Sequence, residues 1–258
     1  MNYALITGAS KGIGKYIAIE LAKKKYNVLL IARSENELQK TTQEIRNIYG
    51  VNADFLICDL SNEDAAMKVF NWCAEKKYSI QILVNNAGYG YAGSFEKYTA
   101  LAYKEMMQVN MNAVVNLCHV FLPLLRFNKQ SYVLNIASSA AYQATPGLAV
   151  YGASKAFVLS FSRALHTELA HTNISVSCVC PGGTDTDFPN RAQVGKKALK
   201  LAAKVNMTPQ AVAKIAVNKM FKKQPEIITG TINKLGAFLA WLLPKKWVEK
   251  SAAGIYEV

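Results

Sequence analysis

Short, fully apolar runs alternate with helix-length amphipathic segments from the start of the chain. The runs are YALIT (3–7), NVLLIA (27–32), ADFLIC (53–58), IQILVN (80–85), YVLNIA (132–137) and ISVSCVC (174–180), followed by a shorter EIITG (226–230). Runs of this length without polar alternation predict strands covered on both faces. The spacing between them predicts helices over 12–25, 34–49, 61–77, 100–127, 151–171 and 208–222. Ser61 and Thr208 stand where N-caps belong, and Pro209 follows at a first helical position. Alternating β and α segments predict one α/β domain over 1–258, a doubly wound parallel sheet with helices on both faces.

Two stretches fall outside the alternation. Residues 183–207 form a basic, Gly- and Pro-punctuated insertion, and so long a loop after a parallel strand is expected to meet a ligand, as a substrate loop. The C-terminal segment 231–258 contains LGAFLAWLLPKKW (235–247), whose aromatic and basic content suits an interfacial anchor but is read first as a lid or subunit contact.

With 258 residues, 51 % apolar and 18 % charged, the chain has the composition of a packed globular protein. Its formal net charge of +13 leaves nucleic acid, acidic membrane surfaces and phosphorylated cofactors open as polyanionic partners. No nucleic-acid motif accompanies that charge, so no nucleic-acid binding is expected. The five cysteines (Cys58, Cys73, Cys118, Cys178, Cys180) show no C-x-x-C spacing and are expected to be reduced core residues. Met1 leads directly into the first apolar run, without the basic region of a secretory signal, and the longest apolar stretches are about a dozen residues, short for a bilayer. A cytoplasmic protein is expected.

TGASKGIG (7–14) lies between the first strand and the first helix. Gly8 permits a tight turn, and Gly12 and Gly14 let backbone N–H groups and the helix N-terminus approach a phosphate; a plain strand–helix corner is the competing reading. An acidic residue at the end of the second strand would accept bonds from ribose hydroxyls, but Arg33 stands there. A guanidinium binds a 2′-phosphate by charge-assisted hydrogen bonds, and Lys11 adds a second cation. Two such contacts favour NADP over NAD by about 2–4 kcal/mol. The competing reading makes both cations solvated surface residues.

YGASK (151–155) puts Tyr151 and Lys155 one turn apart on one helix face, as a surface pair or as an acid/base pair. Together TGASKGIG, CDL (58–60), NNAG (85–88), VNMNA (109–113), NIASS (135–139), YGASK and CPGGTDTDF (180–188) decide between them. In this order they resemble the short-chain dehydrogenase/reductase family over residues 1–190. That resemblance implies a Rossmann-like fold, an NADP(H) cofactor and a homodimer or homotetramer pairing the helices at 100–127 and 151–171. It makes Tyr151 the acid/base, Lys155 its partner, Ser138 the group polarising the substrate carbonyl, and Asn110 the organiser of a proton-relay water. Ser139 and Asn112 are adjacent alternatives, set aside because Ser138 has the family spacing to Tyr151 and Asn110 the "VN" context. Around the cofactor, the resemblance places Gly8, Ser10, Lys11, Gly12, Ile13 and Gly14 at the pyrophosphate, and Asp59 and Leu60 beside the adenine. It sets Asn86, Ala87 and Gly88 along the ribose, with Tyr151, Lys155, Pro181, Gly182, Thr184 and Thr186 at the nicotinamide end, where the Lys155 ammonium can bond the ribose.

The chemistry agrees with that assignment. Tyrosine, with a pKa near 10, is a poor base at neutral pH, and lowering it by about 3 units needs roughly 4 kcal/mol, which a close cation in a partly dry site supplies. Ser138 would stabilise a developing alkoxide. His119, His166 and His171 lack metal-ligand spacing, and no G-x-S-x-G elbow suggests a hydrolase. The expected activity is NADP-dependent reduction of a ketone or aldehyde. The alternatives are 3-oxoacyl-thioester reduction, aided by Lys196, Lys197, Lys200 and Lys204, and a catalytically silent NADPH sensor. Tyr89, Tyr91, Tyr142, Phe188 and Trp241 suggest a substrate with an apolar portion. No metal is expected, and membrane-surface association is the lesser reading of the tail.

Overall fold

A computed structural model describes residues 2–195, 199 and 206–256. Each apolar run forms a strand: β1 (Tyr3–Thr7), β2 (Asn27–Ala32), β3 (Ala53–Ile57), β4 (Ile80–Asn85), β5 (Ser131–Ile136), β6 (Ile174–Cys180) and β7 (Glu226–Ile228). All pairs are parallel, in the order β3-β2-β1-β4-β5-β6-β7. Every residue of β5 and β6 is buried, as expected of central parallel strands.

Alternate strand residues feed two core layers. Ala4, Ile6, Val28, Leu30, Ile82 and Val84 pack on one face with α1 (Gly12–Lys23), α2 (Glu35–Tyr49) and a later helix, Pro209–Phe221. Leu5, Leu29, Ile31, Leu83 and Val133 pack on the other, with α3 (Ala65–Glu75), α4 (Ala100–Met107), α5 (Ala113–Leu125) and α6 (Ala149–Glu168). The strand order reverses between β1 and β4, and the connections leaving their carboxyl ends on opposite faces open a crevice there.

Thr208 caps the helix Pro209–Phe221, its Oγ1 accepting from Ala211 N–H at 3.3 Å. Ser61 does not cap α3. Its N–H and O–H both donate to Asp59 Oδ1 (3.0 and 2.9 Å), closing a turn after β3, and the helix starts at Ala65. α4 and α5 join through a single π-helical turn, Gln108–Asn112, into one helix of 26 residues. By length and composition this helix meets the criterion for crossing a bilayer, against the expectation of shorter apolar stretches. Met106, Val109, Leu117 and Phe121 anchor it in the core.

The insertion after β6 holds a short helix, α7 (Phe188–Ala192), and a bridge between Thr184 and Met207. The helix Pro209–Phe221 is hereafter α8. Two further helices absent from the periodicity reading close the chain, α9 (Thr231–Leu242) and α10 (Lys245–Tyr256). Phe121 is fully buried and meets Phe70 edge-on at 5.7 Å. Phe121→Ala is expected to cost about 3–5 kcal/mol of unfolding free energy in a urea titration.

Candidate functional site

A cavity of about 860 Å³ opens at the carboxyl ends of β1, β4, β5 and β6. It is bordered by Gly8, Ser10, Lys11, Gly12, Ile13, Arg33, Asp59, Leu60, Asn86, Ala87, Gly88, Ser138, Tyr151, Lys155, Pro181, Gly182, Thr184 and Thr186. Two expected residues, Gly14 and Asn110, are not on its wall.

The glycine loop explains one end. Gly8 (φ +64°) and Gly12 (φ +60°) are left-handed, and a Cβ on Gly8 would stand 2.8 Å from Ala87 Cα. Asn86 Nδ2 donates to the Thr7 and Gly8 carbonyls (2.9 and 3.1 Å), and Thr7 Oγ1 accepts from the N–H groups of Asn86 and Ala87 (3.0 and 3.1 Å). The loop is thus laced onto the end of β4. Gly14 serves this packing, because a side chain there would collide with the Gly8 carbonyl and the Asn86 amide. Lys11 occupies the N-cap of α1 without a side-chain cap bond, and the first turn carries no acid. An uncapped helix N-terminus on a cavity wall fits a dinucleotide pyrophosphate.

The two expected phosphate-binding cations already face carboxylates. Arg33 Nη1 lies 3.4 Å from Asp59 Oδ2, and Lys11 pairs with Asp187 on the insertion instead of standing free. Burial works to raise the Asp59 pKa, but hydrogen bonds from Ser61 and the Arg33 charge outweigh it and hold the carboxyl below its usual value. Arg191, on α7, also borders the cavity, its guanidinium 4.2 Å from the Tyr89 ring centre. No motif pointed to it.

At the other end, Lys155 is 4 % exposed and its Nζ donates to the Ile136 carbonyl at 2.8 Å. Burial lowers its pKa to about 8. The ammonium lies 6.0 Å from the centre of the Tyr151 ring. That ring packs on Phe188 at 5.1 Å and against Gly90, where a Cβ would come within 3.0 Å of Tyr151 Cγ. Gly90 is therefore required by the site, and sequence reasoning passed over it. Ser138 Oγ accepts the Ala140 N–H at 3.1 Å, leaving its own proton to donate.

Asn110 sits in the π turn, wholly buried. Its Nδ2 donates to Tyr89 O (2.8 Å) and Ser154 Oγ (3.0 Å), and its Oδ1 accepts from Tyr89 N–H (3.1 Å). Ser154 Oγ in turn donates to the Tyr151 carbonyl at 2.7 Å. The side chain braces the turn carrying Tyr151 from behind the wall.

Of the expected apolar substrate contacts, Tyr89 and Phe188 border the cavity and Tyr91, Tyr142 and Trp241 do not. Tyr142 donates to Glu226 Oε1 at 2.6 Å, and Trp241 is 74 % exposed. His166 Nδ1 lies 2.8 Å from Val176 O, a structural contact. Lys196, Lys197, Lys200 and Lys204 lie outside the described residues.

A buried lysine with a lowered pKa resists protonation in the folded state. Between about pH 8 and its unfolded value near 10.4 the unfolded chain binds the extra proton, so stability rises with pH. The difference in unfolding free energy between the wild type and Lys155→Met, measured by urea titration across that window, should therefore shift in favour of the wild type, by on the order of 1 kcal/mol per pH unit.

Comparison with known proteins agrees with this geometry. A family model described as short chain dehydrogenase matches residues 2–197. The hydroxysteroid dehydrogenase-like protein 1 of Gallus gallus is 36 % identical over 182 residues, 70 % of this chain and 55 % of that protein, so the match spans about half of that relative's length. The monensin polyketide synthase putative ketoacyl reductase of Streptomyces virginiae is 32 % identical over 237 residues, covering 91 % of this chain and 89 % of that protein. A short-chain dehydrogenase from Sphingobium yanoikuyae, solved in complex with NADPH, superposes with a TM-score of 0.82 at 27 % identity, covering 92 % of each chain. With the glycine loop, the sheet order and the Tyr151–Lys155 helix in place, the chain belongs to the short-chain dehydrogenase/reductase family.

Proposed function

We propose that this protein reduces a carbonyl group with NADPH, using Tyr151 as proton donor. The observation that carries the reading is the convergence of Ser138, Tyr151 and the buried Lys155 ammonium on one cavity whose far end carries Arg33. β2, where Arg33 follows, and β5, where Ser138 follows, are three strand spacings apart, about 14 Å, enough for an extended dinucleotide between them.

Bound there, the nicotinamide supplies the hydride. The glycine loop and the N-terminus of α1 would hold the pyrophosphate, and Arg33 would meet the 2′-phosphate. Ser138 Oγ–H and Tyr151 O–H both donate to the substrate oxygen, and Tyr151 gives up its proton as charge develops there. Lys155 favours the tyrosinate that remains. Asn110 is a positioning residue, fixing the Tyr89 backbone and, through Ser154, the turn that bears Tyr151. NADPH preference is supported by Arg33 and by the NADPH-bound relative.

Val109, Leu148, Tyr89 and Phe188 on the wall support a substrate with an apolar portion. A free ketone or aldehyde suits this wall, and the ketoacyl reductase among the relatives favours a 3-oxoacyl thioester as the second reading. Phe157, exposed on α6 and stacked on Phe161 at 6.1 Å, supports pairing of that helix between subunits.

The test is NADPH absorbance against a panel of ketones, aldehydes and 3-oxoacyl thioesters. Tyr151→Phe should lower kcat by about 100-fold or more while binding NADPH with little change. Turnover that survives this change contradicts the assignment. Separately, Arg33→Ala should raise the KM for NADPH by about 10–100-fold and leave that for NADH nearly unchanged.

A further inference from the structure

Helix α9 is built inside out. It turns Asn233, Ala237 and Ala240 toward the protein and leaves Ile232, Leu235, Phe238, Leu239, Trp241 and Leu242 to solvent. Ala240 is 2 % exposed and its neighbour Trp241 is 74 % exposed. A helix of a soluble domain has the opposite arrangement. Gly236, on the same helix, has no heavy atom within 4 Å of where its Cβ would stand. The face continues through the exposed Leu243 to Trp247 at the start of α10. An apolar surface this continuous marks an interaction site.

Charge identifies the occupant. Lys234, Lys246 and Lys250 are exposed along this segment, Lys245 donates its ammonium to the Ala240 carbonyl at 2.8 Å, and Glu249 is the one acid between residues 231 and 256. A second copy meeting this face about a two-fold axis would bring these lysines against their own kind. An anionic bilayer neutralises them, while phenylalanine, tryptophan and leucine side chains enter the headgroup boundary. The net charge of +13 draws the whole molecule to such a surface.

We propose that α9 and the start of α10 dock on an anionic membrane surface, with Phe238, Trp241 and Leu242 in the headgroup boundary and Lys234 and Lys246 against lipid phosphates. The docking helix reaches the cavity rim. Asn233, which donates to the Thr229 carbonyl at 2.7 Å, packs directly on Gly182, and both residues border the cavity. Docking therefore brings the rim near the lipid, from which an apolar carbonyl substrate would enter; this last consequence rests on the reductase reading, and the docking itself does not.

The test is co-sedimentation of the full chain with vesicles of phosphatidylcholine alone or mixed with phosphatidylserine. The expected result is binding to the anionic vesicles, weakened by salt, with a blue shift of tryptophan emission. Phe238→Glu/Trp241→Glu and Lys234→Glu/Lys246→Glu should each weaken binding by at least about tenfold. Absence of binding to either vesicle overturns the proposal, as does equal binding by the variants. A dimer in light scattering that Phe238→Glu/Trp241→Glu dissociates, without vesicle binding, replaces the membrane by a second copy. Circular dichroism and turnover of a water-soluble ketone, both unchanged in the variants, separate lost docking from lost fold. A wild type that binds vesicles but turns over no carbonyl refutes the reductase reading and leaves the docking standing.

Discussion

Burying the ammonium of Lys155 is the constraint on which the active end of this molecule depends. Removing such a charge from water costs several kcal/mol, and the drop of its pKa to about 8 is the visible consequence. The Ile136 carbonyl that accepts its hydrogen bond belongs to the last residue of β5, a strand buried along its whole length. The same strand end continues into Ala137 and Ser138, so one rigid element holds the lysine ammonium and carries the Ser138 hydroxyl to the cavity that Tyr151 borders. A cation held this way costs the fold stability.

The two ends of the cavity are coupled by three consecutive residues. Asn86 ties the glycine loop to β4, Ala87 leaves Gly8 no room for a side chain, and Gly88 faces Asn110 and Lys155. A Cβ on Gly88 would stand 3.1 Å from both Asn110 Oδ1 and Lys155 Nζ. The glycine loop and the Tyr151–Lys155 end therefore share one backbone segment, seated where the sheet order reverses. The pairing of Lys11 with Asp187 joins the insertion to the glycine loop across the mouth.

Much of this was legible in the sequence because central parallel strands leave a signal that competes with nothing else. The runs at 27–32, 80–85 and 174–180 were read with the bounds that the strands have. Residues whose role is set by distant partners were harder to place. Ser61 has the form of an N-cap, but Asp59 two residues earlier takes both its donors. Gly14 fills a tight backbone crossing and Asn110 braces the turn behind Tyr151, contacts that local spacing does not reveal. Gly90 and Arg191 matter through Tyr151 and Tyr89, residues far from them along the chain. Helix α9 escaped the periodicity reading because its large residues face outward, so its pattern does not mark a buried stripe.

The central claim is direct hydride delivery to a carbonyl carbon beside Tyr151. Its most direct test uses NADPH carrying deuterium at the transferable position, with the product of the best carbonyl substrate analysed by mass spectrometry. The account predicts one deuterium per product molecule on the former carbonyl carbon. Product without the label, or NADPH that binds and never transfers it to any carbonyl, would contradict the account.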